Sequence, residues 1–168
     1  MKVIVVTLLF FISNFSVGQG LNDTIQNKLQ FFNVSSDNLR LLAGSYTTSN
    51  GLGGFTYHLD SSGVFKREDV ADLGGRSFST KGTYRQNANK QVELSSKKDR
   101  STYNVFFFDK FAFLVNAESV GKFQEDFRKT VLTFGKKVVH DLGNETYTAE
   151  YIIAYSLALD GYLVKGCD

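Results

Sequence analysis

Two histidines, one cysteine and 17 carboxylates are the side chains from which this 168-residue chain would have to build acid–base, nucleophilic or metal chemistry. General acid–base work needs a base within hydrogen-bond reach of the proton it takes, and nucleophilic catalysis adds a hydroxyl or thiol beside that base. Neither His58 nor His140 stands at a recognisable spacing from a nucleophile, and no serine occupies a Gly-x-Ser-x-Gly turn. Cys167 is one residue from the C-terminus, where nothing holds a triad rigid. Gly51-Leu-Gly-Gly54 lacks the Gly-Lys-Ser/Thr of a phosphate cradle and runs into a strand pattern rather than a helix, so it reads as a hairpin turn. Asp60, Asp69 and Asp72 do not have the alternating spacing of a calcium loop and read as solvated carboxylates. Lys97, Lys98 and Arg100, interrupted by Asp99, read as a solvated hairpin tip. The expectation is a protein that is not an enzyme and that carries neither metal nor cofactor.

Charge and composition exclude further classes. With 19 basic against 17 acidic residues the formal charge is +2, too little to grip a phosphate backbone, so no nucleic-acid partner is expected. A hydrophobic fraction of 42% with 14% aromatics argues against disorder and fits one globular domain. A single cysteine rules out an intramolecular disulfide framework; it is either a free or intermolecular thiol or incidental to the terminus. At the other end Lys2 precedes an apolar run from Val3 to Ile12 broken only by Thr7, and Ser16-Val-Gly18 offers small residues before a cut. That is the pattern of a secretory signal peptide over residues 1–18, leaving a single domain over 19–168. The rival reading is a membrane anchor, but such a run spans about half of a ~30 Å hydrocarbon core. The expected product is exported, periplasmic or secreted, with no membrane span after cleavage. Asn22-Asp-Thr24, Asn33-Val-Ser35 and Asn144-Glu-Thr146 fit the glycosylation sequon, which matters only in a eukaryotic host.

The elements that would position any site are mostly strands. Short runs rich in Phe, Tyr, Val and Thr, punctuated by Gly, Asn, Asp and Ser, predict strands near Leu42 to Thr48, Gly54 to Leu59, Val64 to Val70, Phe78 to Arg85, Gln91 to Ser96, Tyr103 to Phe108 and Phe111 to Val115. Neighbours in sequence joined by tight turns make an antiparallel meander, which must curl or close to hide its edges. Alternation puts Phe55, Tyr57 and Leu59 on one face and Thr56 and His58 on the other; it likewise sets Phe78, Thr80, Gly82 and Tyr84 against Ser79, Lys81, Thr83 and Arg85. Phe106, Phe107 and Phe108 are consecutive, so that strand must be covered on its outer side as well. The cover is predicted to be an amphipathic helix carrying Val120, Phe123, Phe127, Val131 and Phe134, capped by Asn116 and stopped at Gly135. A shorter helix is predicted from Asp23 to Phe32 on the spacing of Ile25, Leu29 and Phe32. Thr148 to Leu159 matches a helix or a strand; alanine and leucine content and Gly161 as a stop favour the helix. The fold class is therefore mainly β with flanking helices.

Gly44-Ser-Tyr46 places a glycine and then an aromatic at the start of the first strand, just after the apolar segment Leu39 to Leu42. This resembles the lipocalin motif of glycine, any residue, tryptophan, with Tyr46 in the tryptophan's place. A second Gly-x-Tyr at Gly82-Thr-Tyr84, between the Asp60 to Phe65 hairpin and Val92-Glu-Leu94, is similar to the repeated pattern of small exported bacterial lipocalin-like barrels. The resemblance covers Leu41 to Phe134 and implies a calycin-type barrel, closed or nearly closed, whose interior can hold a small apolar ligand. The inward aromatics Tyr46, Phe55, Tyr57 and Tyr84 are the expected ligand-binding residues. Two readings stand beside each other: those rings bind a ligand, or they simply fill the barrel. In the second case function moves to the outside, and the protein is an envelope or secreted interaction or inhibitor protein. The motive for that reading is Tyr147, Tyr151, Tyr155 and Tyr162 within sixteen residues of the tail.

Overall fold

In the computed structural model, residues 25–49, 53–71, 78–135, 139–142 and 145–166 are described. The expected signal peptide over 1–18, most of the turn at Gly51, Asp72 and Cys167 lie outside them. The seven predicted strands are all present: β2 (Gly44–Ser49), β3 (Gly53–Leu59), β4 (Val64–Ala71), β5 (Phe78–Gln86), β6 (Val92–Ser96), β7 (Arg100–Phe108) and β8 (Phe111–Asn116). Each pairs antiparallel with the next, as the short turns between them require. A three-residue strand, β11 (Leu163–Lys165), then lies between the two ends of the meander, pairing Val164 with Thr47 of β2 and Leu163 to Lys165 with Leu114 to Ala112 of β8. The result is a closed eight-strand antiparallel barrel, and closure leaves β2 and β8 no long free edge.

The helix expected over Asp23 to Phe32 is corrected. Among the described residues helix is confined to Ile25 and Gln26, and Leu29–Phe32 forms β1, paired with Val105 to Phe108 of β7. The reason is tertiary. On that side of β7 the four partners of β6 end at Tyr103, so the second half of a nine-residue strand has backbone groups to satisfy, and β1 satisfies them. Leu29 and Phe32, three apart, fall on opposite faces of this strand, Leu29 against the outer core and Phe32 against the barrel interior.

Two apolar cores result. Inside the barrel, Tyr46, Tyr57, Leu59, Phe65, Tyr84, Val92, Leu94, Tyr103, Val105, Leu114 and Leu163 are buried together, with Phe55 and Phe107 partly buried against them. Outside, Phe106, Phe108, Phe111 and Phe113 meet two helices, α1 (Val120–Phe134) and α2 (Ala149–Leu159). The triple phenylalanine is thus split as expected, Phe107 inward and its two neighbours outward. The predicted stripe of α1 is the docking face: Phe123 packs on Phe106 at 5.1 Å between ring centres, and Phe127 on Phe108 at 5.0 Å. Asn116 accepts the backbone N–H of Glu118 at the start of the helical stretch, as its position suggested. Helix α2 buries Ile152, Ile153, Ala154, Leu157 and Ala158, so it is apolar around much of its girth. Thr148 caps it, and Gly161, at φ +93°, ends it with Tyr162 N–H returning to the Leu157 carbonyl. Strands β9 (Val139–Leu142) and β10 (Glu145–Thr148) form a separate hairpin. No helix among the described residues is long and apolar enough to cross a membrane.

Candidate binding site

Antiparallel connectivity gives the barrel two unlike ends. One carries the turns after β3, β5, β7 and β11, and it is plugged by the N-terminal segment. Val34 and Leu42 are fully buried there, Val34 N–H donates to the Lys90 carbonyl at 3.0 Å, and Leu39–Leu42 forms a 3-10 turn across the opening. Lys165, last residue of β11, donates its ammonium to the carbonyls of Ala43 and Leu41, and Tyr84 donates its hydroxyl to the Asp60 carbonyl. Gly44 makes this fastening possible: it adopts φ +138°, and a Cβ there would meet Lys165 Cε at 2.8 Å. An open polar groove of about 590 Å³, lined by Arg40, Ser62 and Tyr84 among others, lies outside the plug.

The other end carries the turns after β2, β4 and β6 and the C-terminus of β8. Here two cavities open. One, of about 170 Å³, has a floor of Tyr57, Phe65 and Leu94 and walls of Arg67, Asp69, Thr80, Ser96, Lys98, Asp99 and Ser101. The other, of about 210 Å³, is lined by Phe55, Tyr103, Leu114, Asn116, Ser119 and Gly161 to Leu163. Between them stands Arg67. Its Nε and Nη2 donate to Asp69 Oδ1 at 2.8 and 2.6 Å, and its guanidinium lies 4.1 Å from the centre of the Phe55 ring and 5.8 Å from that of Tyr57. Burial is the largest influence and opposes the Arg67 charge, but Asp69 and Tyr57 together outweigh it, so the guanidinium pKa is raised above its ordinary value. Tyr103 beside it has its phenol pKa pushed up, first by burial and then by its neighbour Tyr57.

The four residues expected to bind ligand share the barrel interior but not one site. Phe55 and Tyr57 line the open-end cavities. Tyr84 belongs to the plugged end. Tyr46 is fully enclosed between, and its hydroxyl is a buried side-chain polar atom without a hydrogen-bond partner among the described residues. Burial pushes its pKa up. Phe78, expected inward with Thr80, Gly82 and Tyr84, is instead exposed, because β5 runs past the rim where Phe78 pairs with Asp69.

Sequence reasoning missed Arg67 and misread Asp69. The alternation that sends Phe65 inward sends both inward as well, and an ion-paired carboxylate in a barrel mouth replaces the solvated one expected. Lys98 is exposed at the hairpin tip as expected, and it also lines the cavity. His58 does have a hydroxyl neighbour that spacing could not reveal: Ser45 Oγ lies 2.9 Å from Nδ1 across the β2–β3 pair, and Glu68 Oε2 lies 3.3 Å from Nε2. The three sit on the outer wall, and none lines either open-end cavity. Among the described residues no cluster of three or more His, Cys, Asp or Glu is placed to hold a metal ion. No family model, no curated protein and no solved structure matches the chain.

Proposed function

We propose that this chain is an exported, lipocalin-like, non-enzymatic binding protein whose ligand site is the open end of the barrel. One observation carries the reading: an inward Arg67–Asp69 pair stands beside an aromatic floor and a cavity, at the end of the barrel that no plug covers among the described residues. Ligand sites combine apolar walls with a few converging polar groups, which is the composition of this mouth. The middle of the barrel is filled by its own tyrosines and leucines, so a ligand with an apolar body sits above Tyr57 and not beside Tyr46. The residues 1–18 supply export, and the periplasm or the medium is where the ligand would be met.

The test is organic extraction of the purified native protein followed by mass spectrometry, together with displacement of a fluorescent fatty acid. A co-purified small molecule or displacement at the open end supports the reading; neither one removes it. N-terminal sequencing of the exported form checks the leader, with Gln19 or a near neighbour expected first, and a Leu9→Arg chain is expected to stay in the cytoplasm at full length.

The alternative, an interaction protein working through its outer surface, rests on the tail tyrosines. Tyr147, Tyr151 and Tyr155 stack in a row, with centroids 4.7 and 6.1 Å apart, and Tyr155 and Leu159 are exposed. Much of that tail is nevertheless core, since Ile153, Leu157, Leu163 and Val164 are buried and β11 belongs to the barrel. Truncation at Asp141 is therefore expected to unfold the domain, which leaves this reading a smaller surface than the sequence suggested.

A further inference from the structure

Charged side chains seldom occupy inward positions of a small barrel, because leaving water costs a charge far more than it costs an apolar group. Position 67 lies directly across from Tyr57 on one side and Thr80 on the other, next along the inward face of β4 from the buried Phe65. An apolar residue there would extend the core at lower cost, since a partly buried ion pair is a poor route to stability. The Asp69 carboxylate also takes up only part of the fork, and Tyr57 stands beside it as a second partner. Nε and Nη2 both address one oxygen of Asp69, so neither N–H of Nη1 is spent on that carboxylate. Lys98 lines the same cavity and makes no ion pair among the described residues. Asp99, the other carboxylate on the wall, already faces Ser101, whose hydroxyl is 3.4 Å from Oδ2.

We infer that the open-end cavity binds a small organic carboxylate with a flat apolar body, the carboxylate on Arg67 and Lys98 and the body on Tyr57, Phe65 and Leu94. The inference rests on the open-end reading above and names the ligand class for that site. A guanidinium fork matches a carboxylate edge in two parallel hydrogen bonds, and its stacking on Phe55 holds the fork in place before the ligand arrives. A volume of about 170 Å³ suits a single-ring or short-chain acid. Asp69 is the counter-ion of the empty site. It keeps the arginine neutralised in the absence of ligand, and a ligand carboxylate must share the fork with it. Asp69 is thus a positioning residue that lowers affinity while it preserves the geometry.

Benzoate and benzamide are matched probes, alike in shape and different in charge, and NMR titration of the folded full-length mature chain reads both. Benzoate is expected to shift amide resonances on β4 and β6 and to bind at least about tenfold more tightly than benzamide, in line with the strength of charge-assisted bonds. Arg67→Gln is expected to bring benzoate down to the benzamide level. Asp69→Asn is expected to tighten benzoate severalfold and leave benzamide unchanged, an effect that a merely structural role for the pair would not produce. Should Arg67→Gln fail to fold, the Asp69→Asn comparison carries the test. Equal binding of the two probes, or benzoate binding untouched by Arg67→Gln or weakened by Asp69→Asn, overturns the carboxylate assignment and leaves the binding site standing. Binding of neither probe, with nothing co-purified, overturns the open-end site itself.

Discussion

The two ends of the barrel use polar groups in opposite ways. At the plugged end the prominent polar contacts tie down the main chain of distant segments: Lys165 holds the Ala43 and Leu41 carbonyls, Tyr84 that of Asp60, and Val34 N–H that of Lys90. Such bonds satisfy carbonyls that would otherwise be stranded, and they hold the plug. At the open-end cavity Arg67 and Asp69 join side chain to side chain, and the backbone bonds of its wall, from the Lys98 and Asp99 N–H groups to Ser96 Oγ, lie within a single turn. The first pattern is that of a closure built for stability; the second is that of a surface kept exchangeable. Substitutions at the two ends should accordingly differ in what they cost.

The largest effect is expected at the plug. Leu42→Asp buries an unpaired carboxylate at a fully enclosed position, a cost of several kcal/mol against a typical stability of ~5–15 kcal/mol, and circular dichroism should find the variant largely unfolded at 37 °C. A folded Leu42→Asp protein would mean that the plug is dispensable. Gly44→Ala comes next, since a φ of +138° and the contact with Lys165 Cε both oppose a side chain. A loss of roughly 1–3 kcal/mol is expected, seen as a melting temperature lower by several degrees. At the open end Arg67→Gln should cost only about 1 kcal/mol, because a pair about one-third exposed is screened by solvent. A loss as large as that of Gly44→Ala would make Arg67 a structural residue and erase the contrast. The smallest change is Tyr46→Phe, which removes a buried hydroxyl that has no hydrogen-bond partner among the described residues; stability should stay level or rise by up to about 1 kcal/mol in a urea titration.

The same contrast explains what could be read from the chain. The meander was legible because its turns are local: Asp60 to Gly63 and Asn87 to Lys90 announce themselves by residue type, and Phe55-x-Tyr57-x-Leu59 alternates cleanly. Helix α1 was legible because one face is apolar and the other charged. Strand β11 was not, since three residues carry no period and its partners are remote. Strand β1 was misread because its spacing satisfies a helix, and only the unpaired half of β7 decides otherwise. For the candidate site, Phe55 and Tyr57 followed from alternation, whereas Phe65-Lys66-Arg67-Glu68-Asp69 is charged on both faces, and polarity alone could not say which charges turn inward. Ser45 and His58 are neighbours only by register, a property of the turn between strands and not of either residue.

Strand β11 also imposes an order of events. It comes near the end of the described chain, yet it must pair with Thr47 near the beginning as well as with β8. While the ribosome is still making the tail, β2 and β8 have no partner between them, and the preceding strands can form at most an open sheet. Joining such distant segments is slow, because the entropy of the long intervening loop is lost before its contacts are gained. The last few strand residues are therefore what lets the barrel close, and until they are available the strands before them stay open to chaperones and to edge-to-edge association.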